Sequence, residues 1–128
     1  MRFIPTKVHG MLDYLVGLVL IVSPWVLGFS DVSNRSAVWL PVVLGVGALL
    51  YSAITDYELG LVRVLPMAGH LIIDVMSGVL LAASPWLFGF SNEVYLPHLI
   101  FGLLEVGAGL MTRTVPGETT RSPAVATG

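Results

Sequence analysis

The chain has 128 residues, 55% of them hydrophobic and only 11% charged, with a formal net charge of -2 and no cysteine. Soluble domains usually carry roughly 25% charged residues, and the apolar residues here gather in blocks of about 20, the length at which a helix crosses roughly 30 Å of hydrocarbon. A water-soluble domain is excluded on those grounds, as are disulfides and thiol chemistry, and so small a net charge offers no attraction for nucleic acid.

Residues 1–7 hold Arg2, Pro5 and Lys7 and precede the first apolar block, Val8 to Leu27, which only His9, Asp13 and Pro24 interrupt. A basic start before an apolar run also fits a secretory signal peptide. No A-x-A cleavage pattern follows, however, and the same pattern returns in mid-chain, so the block is expected to remain as the first membrane span. Gly28 to Ser36 is a turn-rich connector, and Ala37 to Thr55 is the expected second span, with Pro41 near its start. Proline costs little there because first-turn amides have no helical partner. Asp56 to Arg63 forms a central polar connector, Met67 to Phe88 the third span, Gly89 to Val94 a short turn, and Leu96 to Thr112 the fourth span with Pro97 in its first turn. Residues 114–128 are polar, contain Pro116, Gly117 and Pro123, show no apolar period, and read as a disordered cytoplasmic tail.

The two halves repeat. At a constant offset of 61, His9 meets His70, Asp13 meets Asp74, Gly17 meets Gly78, and Ser23-Pro24-Trp25 with Gly28-Phe29-Ser30 meets Ser84-Pro85-Trp86 with Gly89-Phe90-Ser91. The outer connector is shorter in the second copy, and Leu40-Pro41 then aligns with Leu96-Pro97 at an offset of 56. Each copy, 8–60 and 61–113, is therefore a helical hairpin. Two spans return the chain to its starting side, so both hairpins share one orientation, as in parallel repeats. The expected fold is all-α: an integral membrane four-helix bundle made of two parallel helical-hairpin repeats.

Of the six basic residues, Arg2, Lys7, Arg63, Arg113 and Arg121 fall at one end of the spans and only Arg35 at the other, which places both termini in the cytoplasm. Trp25, Trp39, Trp86, Tyr95, Phe29 and Phe90 gather at the outer end, as an interfacial aromatic belt does. The doubled SPW-x-x-GFS, each copy preceded by a histidine and an aspartate four apart, closely resembles the SPW repeat family of small prokaryotic membrane proteins. That resemblance covers about residues 8 to 113; it implies a two-helix membrane repeat and no particular chemistry.

Membrane-helix physics accounts for the motif itself. Pro24 and Pro85 each free a helical carbonyl, which Ser23 and Ser84 can satisfy. Trp25 and Trp86 suit the headgroup boundary, and Gly28 and Gly89 suit a left-handed residue that stops the helix. Chemistry is sought instead among intramembrane ionisable groups. His9 with Asp13, and His70 with Asp74, share a helix face at i,i+4 spacing. Glu105 has no acidic counterpart, since Leu49 aligns with it. By helical rise it lies within about a turn of the depth of Asp74, where the two carboxyls could share a proton. His98 reads as an interfacial polar residue. Small residues, among them Gly17, Gly45, Gly78 and Gly102, offer surfaces for close helix approach.

No serine–histidine–acid set, phosphate loop, HExxH or GxGxxG occurs, so the expectation is a non-enzymatic structural or interaction module of the prokaryotic cytoplasmic membrane. No cofactor is called for, the lipid bilayer is its partner, and self-association is open to it. Two alternatives stand beside that expectation. One is a proton-coupled transporter or channel working through His9, Asp13, His70, Asp74 and Glu105; the other is haem or metal binding through His9 and His70.

Overall fold

The computed structural model describes residues 2–116 and contains four helices: α1 (Thr6–Val26), α2 (Ser36–Ala53), α3 (Met67–Leu87) and α4 (Leu96–Met111). No strand occurs among the described residues, and the fold is the expected all-α bundle of two hairpins. Met1 and residues 117–128, most of the expected disordered tail, lie outside the described residues. The first three helices are long and apolar enough to cross a membrane, whereas α4 has only 16 residues and spans about 24 Å.

Burial is sorted as lipid demands. Leu15, Leu18, Val43, Leu50, Ile72, Met76, Leu103 and Leu104 point outward, while His9, His70, Asp74, Ser84 and Thr55 are buried. A water-soluble bundle does the reverse, because there burial of leucine is the driving force; in hydrocarbon it gains little, and close packing and internal hydrogen bonds hold helices together. This is a membrane protein.

Within each hairpin the helices cross at paired glycines. A Cβ on Gly45 would lie 2.6 Å from the Gly17 carbonyl oxygen, and one on Gly78 would lie 2.7 Å from that of Gly102. The two hairpins then join at the end opposite the motifs. Thr55 pairs in parallel with Leu65, and Thr112 with Ile4. The backbone bonds match as well: Leu65 N–H donates to Ile54 O at 2.7 Å and Ile4 N–H to Met111 O at 3.0 Å, while Asp56 N–H reaches Leu65 O at 2.7 Å and Arg113 N–H reaches Ile4 O at 2.9 Å. The end of each repeat is thus stitched to the start of the other. In one case the chain runs through the joint, and in the other hydrogen bonds alone close the ring. Arg2 reinforces that second joint by donating to the carbonyls of Gly109 and Thr112, both at 2.8 Å.

Candidate functional site

Pro5 and Pro66 begin α1 and α3 in matching extended conformations, with φ of -62° and -60°, and the first helical bonds run from the His9 and His70 amides to their carbonyls at 3.0 Å each. Each histidine therefore sits one turn inside its helix, and its aspartate follows one turn later on the same face. The joint between the repeats brings the two faces together. His9 Nε2 lies 2.7 Å from Asp74 Oδ2 and 3.0 Å from Asp13 Oδ1; His70 Nε2 lies 2.9 Å from Asp13 Oδ2 and 3.3 Å from Asp74 Oδ2. The shorter contact of each histidine is with the aspartate of the other repeat. The imidazoles meet edge to face, 5.4 Å between centroids. Both are almost fully buried, at 1% and 0% exposure.

The other ring nitrogens are held just as symmetrically. His9 Nδ1 is 2.7 Å from Thr112 Oγ1, and His70 Nδ1 is 2.7 Å from Thr55 Oγ1. Each threonine hydroxyl already donates its proton to a carbonyl of its own helix, Thr112 to Ala108 and Thr55 to Tyr51, both at 2.6 Å. The hydroxyl oxygens must then accept, so Nδ1 carries a proton in both histidines and Nε2 is the atom presented to the carboxylates. These threonines were not among the residues expected from the sequence. Their signal was there: they correspond at an offset of 57 and close equivalent helices.

Two tyrosines complete the aspartate surroundings. Tyr51 donates to Asp74 Oδ1 through a short hydrogen bond, and Tyr57 OH lies 3.4 Å from Asp13 Oδ2. Burial first, and then the nearby Asp13 carboxylate, push the Tyr57 phenol well above its ordinary pKa, which keeps it a donor. Sequence comparison of the halves passes over Tyr51 because its alignment partners at offsets of 56 and 57 are Gly107 and Ala108. Where those small residues stand, a cavity of about 390 Å³ opens beside the cluster, bordered by His9, Asp13, Asp74 and Glu105 on the polar side and by Leu12, Leu103 and Met111 on the apolar side.

Glu105 borders that cavity but does not join the cluster. Its carboxylate accepts from Ser77 Oγ at 3.1 Å, and no hydrogen bond links it to Asp74 among the described residues. Ser77, three residues beyond Asp74, is instead the partner of the Glu105 carboxylate, and its hydroxyl also lies 3.2 Å from the Asp74 carbonyl. His98 also departs from expectation. Rather than an interfacial group it is buried, with Nε2 2.8 Å from the Ala37 carbonyl and its ring against Phe29 and Phe90. Those two phenylalanines, expected in the aromatic belt, are core residues at 4% and 0% exposure. Left-handed Gly28 and Gly89 turn the chain back over the helix ends and send them inward.

A family model described as the SPW repeat domain matches residues 7–112, most of the chain. The chain belongs to the SPW repeat family. Neither the curated proteins nor the solved structures searched give a match.

Both SPW motifs work identically. Ser23 Oγ donates to Leu20 O at 2.8 Å and Ser84 Oγ to Leu81 O at 2.7 Å, each the carbonyl that the following proline leaves without its amide. Gly28 and Gly89 take φ of 79° and 75°, and the next residues, Phe29 and Phe90, donate back to Pro24 O and Pro85 O at 2.8 Å. That is the six-residue helix stop in which glycine avoids the clash a Cβ would make. Trp25 and Trp86 remain exposed, as does Trp39. The SPW repeats thus end two equivalent helices at one boundary, while the ionisable cluster lies near the other.

Proposed function

We propose that this SPW repeat protein is a non-enzymatic structural or interaction module of the prokaryotic cytoplasmic membrane, with both termini cytoplasmic. The observation that carries the reading is the exchange of partners at the cluster. His9 reaches Asp74 and Thr112 of the other repeat, and His70 reaches Asp13 and Thr55. Ionisable groups normally expensive in lipid are turned on one another, where they tie two hairpins whose apolar faces gain little by meeting. Arg2, Lys7, Arg63 and Arg113 flank the cluster end of the helices, in agreement with a cytoplasmic position for that end. The broad apolar exterior suits the bilayer as partner and leaves room for contact with a second copy.

A second reading, proton-coupled transport, is favoured by one feature: the cavity that borders Asp13, Asp74 and Glu105 together. Reconstitution separates the two. Proteoliposomes of the wild type, Asp74→Asn and Glu105→Gln under an imposed pH gradient are expected to show the proton flux of empty vesicles. Wild-type flux above that level, removed by either substitution, would overturn the module and establish the second reading.

A further inference from the structure

The proton inventory of the cluster points beyond a simple tie. Both Nδ1 protons are committed to threonine, and carboxylates only accept, so each Nε2 lone pair is aimed at anionic oxygens. Something positive belongs among these atoms. Two protons would serve, and so would one divalent cation. His70 Nε2 bears on the choice. It is buried, lies 2.9 Å from Asp13 Oδ2, and yet forms no hydrogen bond of acceptable geometry.

We propose that His9, Asp13, His70 and Asp74 form a site for a single divalent transition-metal ion of the zinc class. One ligand atom from each residue falls within 4.8 Å of all the others. A tetrahedral ion with bonds of about 2.0 to 2.1 Å separates its ligands by about 3.3 Å. The four nitrogen–oxygen contacts here, from 2.7 to 3.3 Å, are of that scale but use both Asp13 oxygens, so that carboxylate must commit one oxygen to the ion. Two imidazoles and two carboxylates suit zinc, iron(II), cobalt(II) or manganese(II), and with no thiolate in the chain they disfavour copper(I). The supporting shell is that of a metal centre: threonine oxygens fix both histidine tautomers, and the Tyr51 and Tyr57 hydroxyls hold the aspartates. Two carboxylates and one divalent ion sum to zero, the charge at which burial in hydrocarbon is cheapest. The neighbouring cavity is lined by three of the four residues, His9, Asp13 and Asp74. This goes beyond the module reading, which needs only protons at the cluster.

The test uses the full chain in detergent, stripped with a chelator and titrated with Zn²⁺ or Co²⁺ alone. One ion per chain is expected, with cobalt giving the intense visible bands of a tetrahedral centre and zinc displacing it. Thr112→Val keeps all four ligands but removes the acceptor behind His9, and should weaken binding roughly 10- to 100-fold. Asp13→Asn with Asp74→Asn should abolish it. Helical circular dichroism and a single size-exclusion peak establish that each variant is folded. Folded wild type that takes up no ion, a weak octahedral cobalt spectrum, or equal uptake by folded Thr112→Val would each overturn the proposal. None of these outcomes touches the module reading, which stands or falls on proton flux.

Discussion

Gly102 is the residue at which the packing argument is most exposed to experiment. A Cβ there would lie 2.4 Å from the Ala82 amide nitrogen, 2.5 Å from the Gly78 carbonyl oxygen and 2.7 Å from the Ala82 Cα. All three are backbone atoms of α3, so no side chain can swing aside. Ordinary contact between such atoms begins near 3.5 Å, and alanine at this position must push α4 away from α3 by about 1 Å. Overpacking of that kind costs about 1 to 3 kcal/mol. Gly107, on the same helix, is the internal control: a Cβ there meets nothing within 4 Å. Gly107→Ala should be neutral or gain up to about 1 kcal/mol from helix propensity. The two alanine variants are therefore expected to differ by about 1 to 4 kcal/mol, with Gly102→Ala the weaker, in reversible unfolding from dodecyl maltoside into sodium dodecyl sulfate followed by circular dichroism. If the two variants unfold within about 0.5 kcal/mol of each other, the glycine crossing is not what holds this hairpin closed.

Ser84→Ala removes the hydroxyl that donates to the Leu81 carbonyl, in a position with 0% exposure, and should destabilise the same unfolding equilibrium by about 1 to 3 kcal/mol. Glu93 gives a pH dependence at the opposite face: its carboxylate accepts from the Ser33 hydroxyl and from the Ser33 and Asn34 amides at 2.6, 2.9 and 3.1 Å, and these bonds hold its pKa below the usual value. A depressed folded pKa stabilises the clasp between the two outer connectors above the ordinary glutamate pKa, and that contribution is lost as pH falls through the folded one. Amide exchange at Ser33 and Asn34, corrected for intrinsic rates, should therefore accelerate on acidification in the wild type and lack that step in Glu93→Gln.

The parts of this molecule that repeat were legible in the sequence, and the parts that depend on partner choice were not. Spans, hairpins and the helix-ending role of Ser23-Pro24-Trp25 and Ser84-Pro85-Trp86 follow from length, composition and local backbone chemistry, which act within a few residues. The i,i+4 pairs placed His9 with Asp13 and His70 with Asp74, yet nothing local says that each histidine makes its shorter contact with the aspartate of the other repeat. That exchange is set by the joints at Ile4 with Thr112 and Leu65 with Thr55, which are tertiary. Depth counting set Glu105 within about a turn of Asp74, but height does not fix azimuth, and Ser77 is its hydrogen-bond partner. Phe29 and Phe90 were misplaced for a related reason: aromatic residues at a boundary read as belt, while the positive φ of Gly28 and Gly89 folds them inward.

Duplication also explains where the symmetry fails. Two copies of a hairpin arranged about a twofold axis place two histidines and two aspartates around one point, and two threonines behind them, without any further invention. A strictly symmetric protein would put a tyrosine on each aspartate from the second helix of each repeat. Tyr51 does so for Asp74, but Gly107 and Ala108 stand at the other position, and Asp13 is served from the connector by Tyr57. The space a second tyrosine would fill lies on the side bordered by Glu105, the one intramembrane acid without a counterpart. Loss of bulk and gain of charge fall on the same helix, α4, which is also the shortest. Symmetry built the cluster, and the departure from symmetry falls where the cavity opens beside it.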